Sequence, residues 1–173
     1  MIKIFYTEKQ NFPDSEAFIR KVFKDRYKIE DVAISRTVEG KPFARETELF
    51  FSLSHTKTAY FLAVSEKNVG VDAEDEDRSV DYAAVAKTKF PRVEQAEIRS
   101  LHSFLKHWTA KEAAVKWLGG TLSRDLKKLC FTNGVMRYDG VFLPFGTAFQ
   151  TFENHVVAVC GENLSDGIEV VKI

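Results

Sequence analysis

Apolar residues recur along this chain in two rhythms, and the rhythm changes several times. Residues 2–6 alternate as a strand does, and Phe18, Ile19, Val22, Phe23 and Tyr27 then repeat at the three- and four-residue spacing of one helix face. Pro13-Asp14-Ser15-Glu16 supplies the start signal for that helix. Residues 32–37, 48–54, 59–65 and 69–74 read as strands, with a turn at Gly40-Lys41-Pro42 after the first of them. The first half is therefore expected to be one helix and an antiparallel sheet.

Past the acidic run at residues 74–77 the pattern turns helical. Residues 81–89 form one expected helix, and Pro91 opens another that runs towards His102. Leu101, Leu105 and Trp108 lead into a helix that stops at Gly119-Gly120. Residues 128–132 and 135–138 then flank Asn133-Gly134, a type I′ hairpin signal, and Asp139-Gly140 marks a further turn. Strands are expected again at 148–152, 155–160 and 168–171. Each half thus offers a helical portion and a small sheet, with no low-complexity linker between them. The expected organisation is one α+β domain over residues 1–173, with lobe one about 1–77 and lobe two about 78–173.

Composition narrows the function classes. A chain of 173 residues supports one real core, and 45% apolar content with 15 phenylalanines indicates a globular protein. The formal net charge of zero argues against a broad basic surface and so against non-specific nucleic-acid binding. Cys130 and Cys160 both fall in expected strands and read as buried, reduced thiols. No charged-then-apolar leader follows Met1, and no apolar run approaches the ~20 residues of a membrane helix. A soluble, cytoplasmic protein without a membrane partner is the expectation.

The candidate chemistry lies in two segments. In Trp108-Thr109-Ala110-Lys111-Glu112-Ala113-Ala114-Val115-Lys116, four-residue spacing stacks Trp108, Glu112 and Lys116 along one side of a helix, and Trp108 is expected to be buried. In Val69-Gly70-Val71-Asp72-Ala73-Glu74, alternation sends Asp72 and Glu74 to one face of a strand. Carboxylate oxygens are what Mg²⁺ prefers, and Lys116 lies one turn beyond Glu112 to neutralise a phosphate. Taken singly, a helical ion pair and a solvated acidic loop with Asp75, Glu76 and Asp77 are commonplace. Together they suggest a site for a hard cation and a phosphate.

Other residues carry less. His55, at the end of a strand in Ser52-Leu53-Ser54-His55-Thr56, suits a ligand-facing or a structural role about equally. His102 and His107 are poorly spaced for one helix face and suit surface or capping roles, and His155 is assigned none. Lys41 and Arg20, taken alone, read as exposed basic residues. Neither a glycine-rich phosphate loop nor a G-x-S-x-G elbow is present.

Four pieces in order, Gly40-Lys41-Pro42, Ser52-Leu53-Ser54-His55, Gly70-Val71-Asp72-Ala73-Glu74 and Trp108-Thr109-Ala110-Lys111-Glu112 with Lys116, resemble the 4′-phosphopantetheinyl transferases. The likeness is to the single-chain type that activates peptide-synthetase carrier proteins, enzymes of secondary metabolism. It implies a fold of two similar lobes related by a pseudo-twofold axis, each with a small antiparallel sheet and a packed helix, and coenzyme A in the cleft between them. By the same resemblance Asp72, Glu74 and Glu112 would hold Mg²⁺ with the pyrophosphate of coenzyme A, and Lys116 would contact that pyrophosphate. Arg20, Lys41, Ser54 and His55 would hold the adenosine 3′-phosphate end. The leader before Arg20 is shorter than the family's, and Ala73 stands where a larger aliphatic is common.

The implied reaction moves the 4′-phosphopantetheine arm of coenzyme A to a serine of an apo acyl or peptidyl carrier protein and releases adenosine 3′,5′-bisphosphate. A serine hydroxyl needs a base at neutral pH, and Glu112 is the candidate, with Lys116 assisting electrostatically. A monomer suffices for one cleft. The alternatives are a carrier-protein-binding module without catalysis and a Mg²⁺-dependent phosphohydrolase or nuclease. The zero net charge disfavours the nuclease, and the intact acidic set with Lys116 disfavours the bare module.

Overall fold

The computed structural model describes residues 1–173. In chain order the elements are β1 (Ile2–Glu8), α1 (Ser15–Tyr27), β2 (Ile34–Arg36), β3 (Pro42–Ala44), β4 (Phe50–His55), β5 (Ala59–Ser65) and β6 (Val69–Asp75). They continue with α2 (Tyr82–Lys89), α3 (Arg92–Gln95), α4 (Leu101–Leu118), α5 (Leu122–Asp125), β7 (Leu129–Thr132) and β8 (Val135–Tyr138). The last are β9 (Val141–Phe142), β10 (Gly146–Phe152), β11 (His155–Gly161) and β12 (Ile168–Lys172).

Local chemistry accounts for most of these boundaries. Asp14 accepts the Ala17 amide at 2.8 Å and starts α1, and Lys28, in a left-handed conformation, ends it. Between them Phe18, Ile19, Val22 and Phe23 face inward. Asn133 and Gly134 both take positive φ, as the type I′ turn between β7 and β8 requires. The helix expected from Pro91 to His102 is broken in two. Pro91 caps only the single turn of α3, and Ser100 and Ser103 form a reciprocal capping box that begins α4 afresh. Gly119 closes α4 in the left-handed region, with the Gly120 amide returning to the Val115 carbonyl.

Two sheets dominate. One has strand order β12-β1-β5-β4, with β12 parallel to β1 and the other neighbours antiparallel. The second is antiparallel, in the order β10-β11-β6. Chain order and sheet membership therefore cross over: β6, from the first half, lies in the sheet of the second, and β12, the last strand, lies in the sheet of the first. Alternation sorts the cores. Ile4, Phe61 and Ala63 meet Val71, Ala73, Val157 and Val159 between the sheets, while Phe5, Leu62 and Val64 turn the other way to pack under α1. On the far side, Ala110, Ala113 and Ala114 of α4 pack on Ala158 and Cys160 of β11 and on the β7–β8 hairpin. The layers run α1, sheet, sheet, α4. Both cysteines are free, and Cys160 is fully buried. No helix is long and apolar enough to cross a membrane.

Candidate active site

Strand β6 is an edge strand, and its pleat divides its side chains. Val69, Val71 and Ala73 enter the core between the sheets. Gly70, Asp72 and Glu74 take the opposite face, towards α4. Gly70 sets the approach of that helix, because a Cβ there would overlap the Ala113 carbonyl and stand 2.8 Å from the Trp117 amide. A helix this close brings Glu112 and Lys116 over the strand. One oxygen each from Asp72, Glu74 and Glu112 then falls within 4.8 Å of the others.

The two oxygens of Asp72 have different fates. Oδ1 accepts from Lys116 Nζ at 2.7 Å and from Ser54 Oγ at 2.8 Å. Oδ2 is buried and has no partner. An unpaired buried carboxylate oxygen is costly, and here it belongs to the three-carboxylate cluster. Burial pushes the Glu112 carboxyl up to about 8, with the Asp72 charge adding to the shift and Lys116 opposing it. Glu74 is raised too, by burial first and by Asp72 second, against the pull of Arg78. Crowded, desolvated carboxylates with an orphan oxygen are a donor set that a hard divalent cation fits. The residues present suit Mg²⁺.

Lys116 also donates to the Val71 carbonyl at 3.0 Å, so its ammonium is held along β6. Beyond it a cleft of about 210 Å³ is lined by Lys41, Ser52, Lys116, Gly119 and Gly120, among others. Lys41 and Lys116 therefore share one cavity. The Lys41 ammonium donates to Asn68 Oδ1 at 3.1 Å, and burial lowers its pKa to about 8. Asn68 in turn exchanges hydrogen bonds with Trp117 at the end of α4, which ties the Lys41 turn to the helix that carries Glu112.

The other residues expected at the nucleotide end are scattered. Ser54 is buried and spends its hydroxyl on Asp72 while accepting the Ala73 amide at 3.2 Å. Ser52 accepts the Val71 amide at 3.0 Å in the same way. These alternate hydroxyls serve β6 along the edge that no strand covers. His55, on the opposite face of β4, is exposed, 3.5 Å from Lys9 Nζ and edge-on to Tyr60. Arg20 is bound to Glu16 at 2.7 Å and to the Val32 carbonyl, and does not line the cleft.

Several contributors went unread in the sequence. Arg78 bonds to Glu74 and lies over the Trp108 ring, but its spacing from Glu74 has meaning only in a turn that sequence does not announce. Trp108 itself is only partly buried. It stacks on Phe90 and Phe104, with its Nε1 unpartnered. His107, expected at the surface, is buried instead, 3.0 Å from Glu94, because α3 folds back across α4. His155 also has a place: its Nε2 lies 3.1 Å from Asp75 and its Nδ1 3.1 Å from the Phe152 carbonyl.

A strand-borne Asp and Glu facing a helix-borne Glu and Lys is the arrangement that the sequence motifs pointed to. A family model describing the 4′-phosphopantetheinyl transferase superfamily matches residues 68–160, more than half of the chain, and the chain belongs to that superfamily. The match runs from just before β6 into β11 and includes Asp72, Glu74, Glu112 and Lys116. Among characterised proteins, the chain is similar to the 4′-phosphopantetheinyl transferase AcpT of Escherichia coli O157:H7, at 37% identity over 91 residues, 48% of this chain and 47% of that protein. AcpT of Salmonella typhi is 36% identical over 91 residues, again 48% and 47% of the two chains. The chain thus spans about half the length of the curated relatives it matches.

Proposed function

We propose that this protein transfers the 4′-phosphopantetheine arm of coenzyme A to a serine hydroxyl of an apo acyl or peptidyl carrier protein. The observation that carries the reading is the orphan Asp72 Oδ2 inside the Asp72–Glu74–Glu112 cluster, with Lys116 on the other Asp72 oxygen. Asp72, Glu74 and Glu112 would hold Mg²⁺, which when bound offsets negative charge on the pyrophosphate. Lys116 faces the same charge from the helix side, and Lys41 grips the nucleotide half from the far end of the shared cleft. His55 and Arg20 lie outside that cleft and are left out of the proposed nucleotide end.

In the reaction the serine oxygen forms a bond to the β-phosphorus, and the bond from that phosphorus to the bridging oxygen breaks. The serine proton goes to Glu112, directly or through a water, and adenosine 3′,5′-bisphosphate departs with the bridging oxygen. Ser54 acts on this chemistry through Asp72, by holding Oδ1 so that Oδ2 is the oxygen left to coordinate. The pseudo-twofold, two-lobe description is supported by the pairing of α1 with one sheet and α4 with the other.

The test is incubation of the protein with coenzyme A, Mg²⁺ and an apo carrier protein, read by intact mass. The expected result is a carrier heavier by one phosphopantetheine group, lost in Asp72→Asn. Cleavage of coenzyme A with the carrier unmodified would establish a phosphohydrolase instead. Carrier binding without any change in mass would establish a binding module.

A further inference from the structure

Glu74 already has a cation. Arg78 Nη1 bonds to Glu74 Oε1 across the turn that follows β6, and the guanidinium lies 5.9 Å from the centre of the Trp108 ring. Both contacts face the acidic cluster, because Trp108 stands one helical turn before Glu112 on α4. The arginine side chain is the more exposed partner, 39% against 20% for Glu74. Its own amide is fixed in the turn by the Asp75 carbonyl at 3.1 Å. Arg78 thus has an anchored backbone and a solvent-accessible charged end, lying over an indole and seated on one of three clustered carboxylates.

A divalent ion shared by Asp72, Glu74 and Glu112 would draw on that same Glu74 carboxylate. A guanidinium and a divalent ion on one carboxylate repel each other at close range. We propose that Arg78 is the resident counter-cation of the metal-free site, seated on Glu74 and the Trp108 ring, and that divalent-metal binding displaces it from both. The inference rests on reading the acidic cluster as a metal site. Arg78 then acts against the metal rather than for it. It lowers the charge of the empty cluster, and each metal-binding event frees its guanidinium at the mouth of the site.

The displacement has an optical signature, because only two tryptophans are present and Trp108 is the one beneath Arg78. The protein is titrated with Mg²⁺, and separately with Mn²⁺, while tryptophan fluorescence and binding heat are followed. In the wild type both should report saturable binding with one midpoint. Trp108→Phe should keep the heat and lose the optical change. Arg78→Gln should also lose the optical change and should bind metal about tenfold more tightly, because one positive charge fewer then opposes the incoming cation. Removal of positive charge alone would tighten binding but leave the Trp108 signal in place. Persistence of that signal in Arg78→Gln, or unchanged or weaker metal binding there, overturns the proposal. Binding that is lost in Asp72→Asn but indifferent to Arg78 overturns it while leaving the metal site standing. An absence of metal binding in the wild type overturns both.

Discussion

Helix α4 carries two ionic clusters on adjacent residues, and they are built to opposite rules. On one side Lys111, fully buried, donates to Glu94 at 3.1 Å and lies 4.1 Å from the Phe90 ring centre. Glu94, also fully buried, takes His107 on its second oxygen at 3.0 Å, and His107 lies 3.6 Å from Glu97. Every buried polar atom of that cluster has a partner. On the other side, starting from the very next residue, Glu112 meets Asp72 and Glu74, and one buried oxygen is left with none. Burial lowers the Lys111 pKa while Glu94 raises it, whereas burial and Asp72 both drive Glu112 upward. The satisfied cluster pins α3 to the back of α4. The unsatisfied one lies between β6 and α4, with Lys116 joining it to the neighbouring cleft. The two sets differ in completeness of pairing: the Glu94 set is buried and fully partnered, whereas Asp72 is buried with an unpartnered oxygen beside the half-buried Glu74 and Glu112.

The sharpest break in that comparison is stability. Glu94→Gln would leave Lys111 buried beside a neutral amide and should cost about 3–5 kcal/mol in chemical denaturation. Asp72→Asn should leave the protein as stable as the wild type or more so, because it relieves crowding among like charges. Equal losses in the two variants would show that both clusters are structural.

Activity should divide the two lysines the other way. Lys116→Met should lower kcat by about 10²–10³-fold, the scale for removing one electrostatic stabiliser, with a change in stability of about 1 kcal/mol or less. Turnover near the wild-type level in that variant would return Lys116 to an ordinary ion pair with Asp72.

Smaller effects refine the boundary of the site. Ser54→Ala should weaken Mg²⁺ binding by about 10–100-fold, since Asp72 then loses the hydroxyl that fixes its orientation. Isothermal titration of the variant checks it, and unchanged affinity would hand Ser54 to the nucleotide alone.

The least effect is a pH slope at Lys41. Its folded pKa of about 8 lies below the ordinary 10.5, so between those values the unfolded chain binds the extra proton and the folded one does not. Stability contributed by this residue should therefore rise as pH climbs from about 8 towards 10.5, and the cost of its buried charge is fully present below about 8. Melts of the wild type against Lys41→Met across that range should show the difference narrowing with pH. A difference that widens would place Lys41 in a partnered, charged state.

Much of this was legible beforehand, and for a local reason. Alternation along a strand placed Asp72 and Glu74 on one face, and four-residue spacing placed Glu112 and Lys116 on another, with no knowledge of the partner element. Capping chemistry likewise located the start of α1 and the Gly119 stop. The break between α3 and α4 was missed because Pro91 suits a helix start whether the helix lasts one turn or three.

Which side chains share a face follows from the period of the backbone, and a few neighbouring residues are enough to set it. What each face meets depends on how distant elements pack. Ser54 turns to Asp72, β12 closes the first sheet beside β1, and Gly70 lets α4 settle on β6. Those outcomes join residues far apart in the chain through packing, and packing depends on the fit of whole elements to one another.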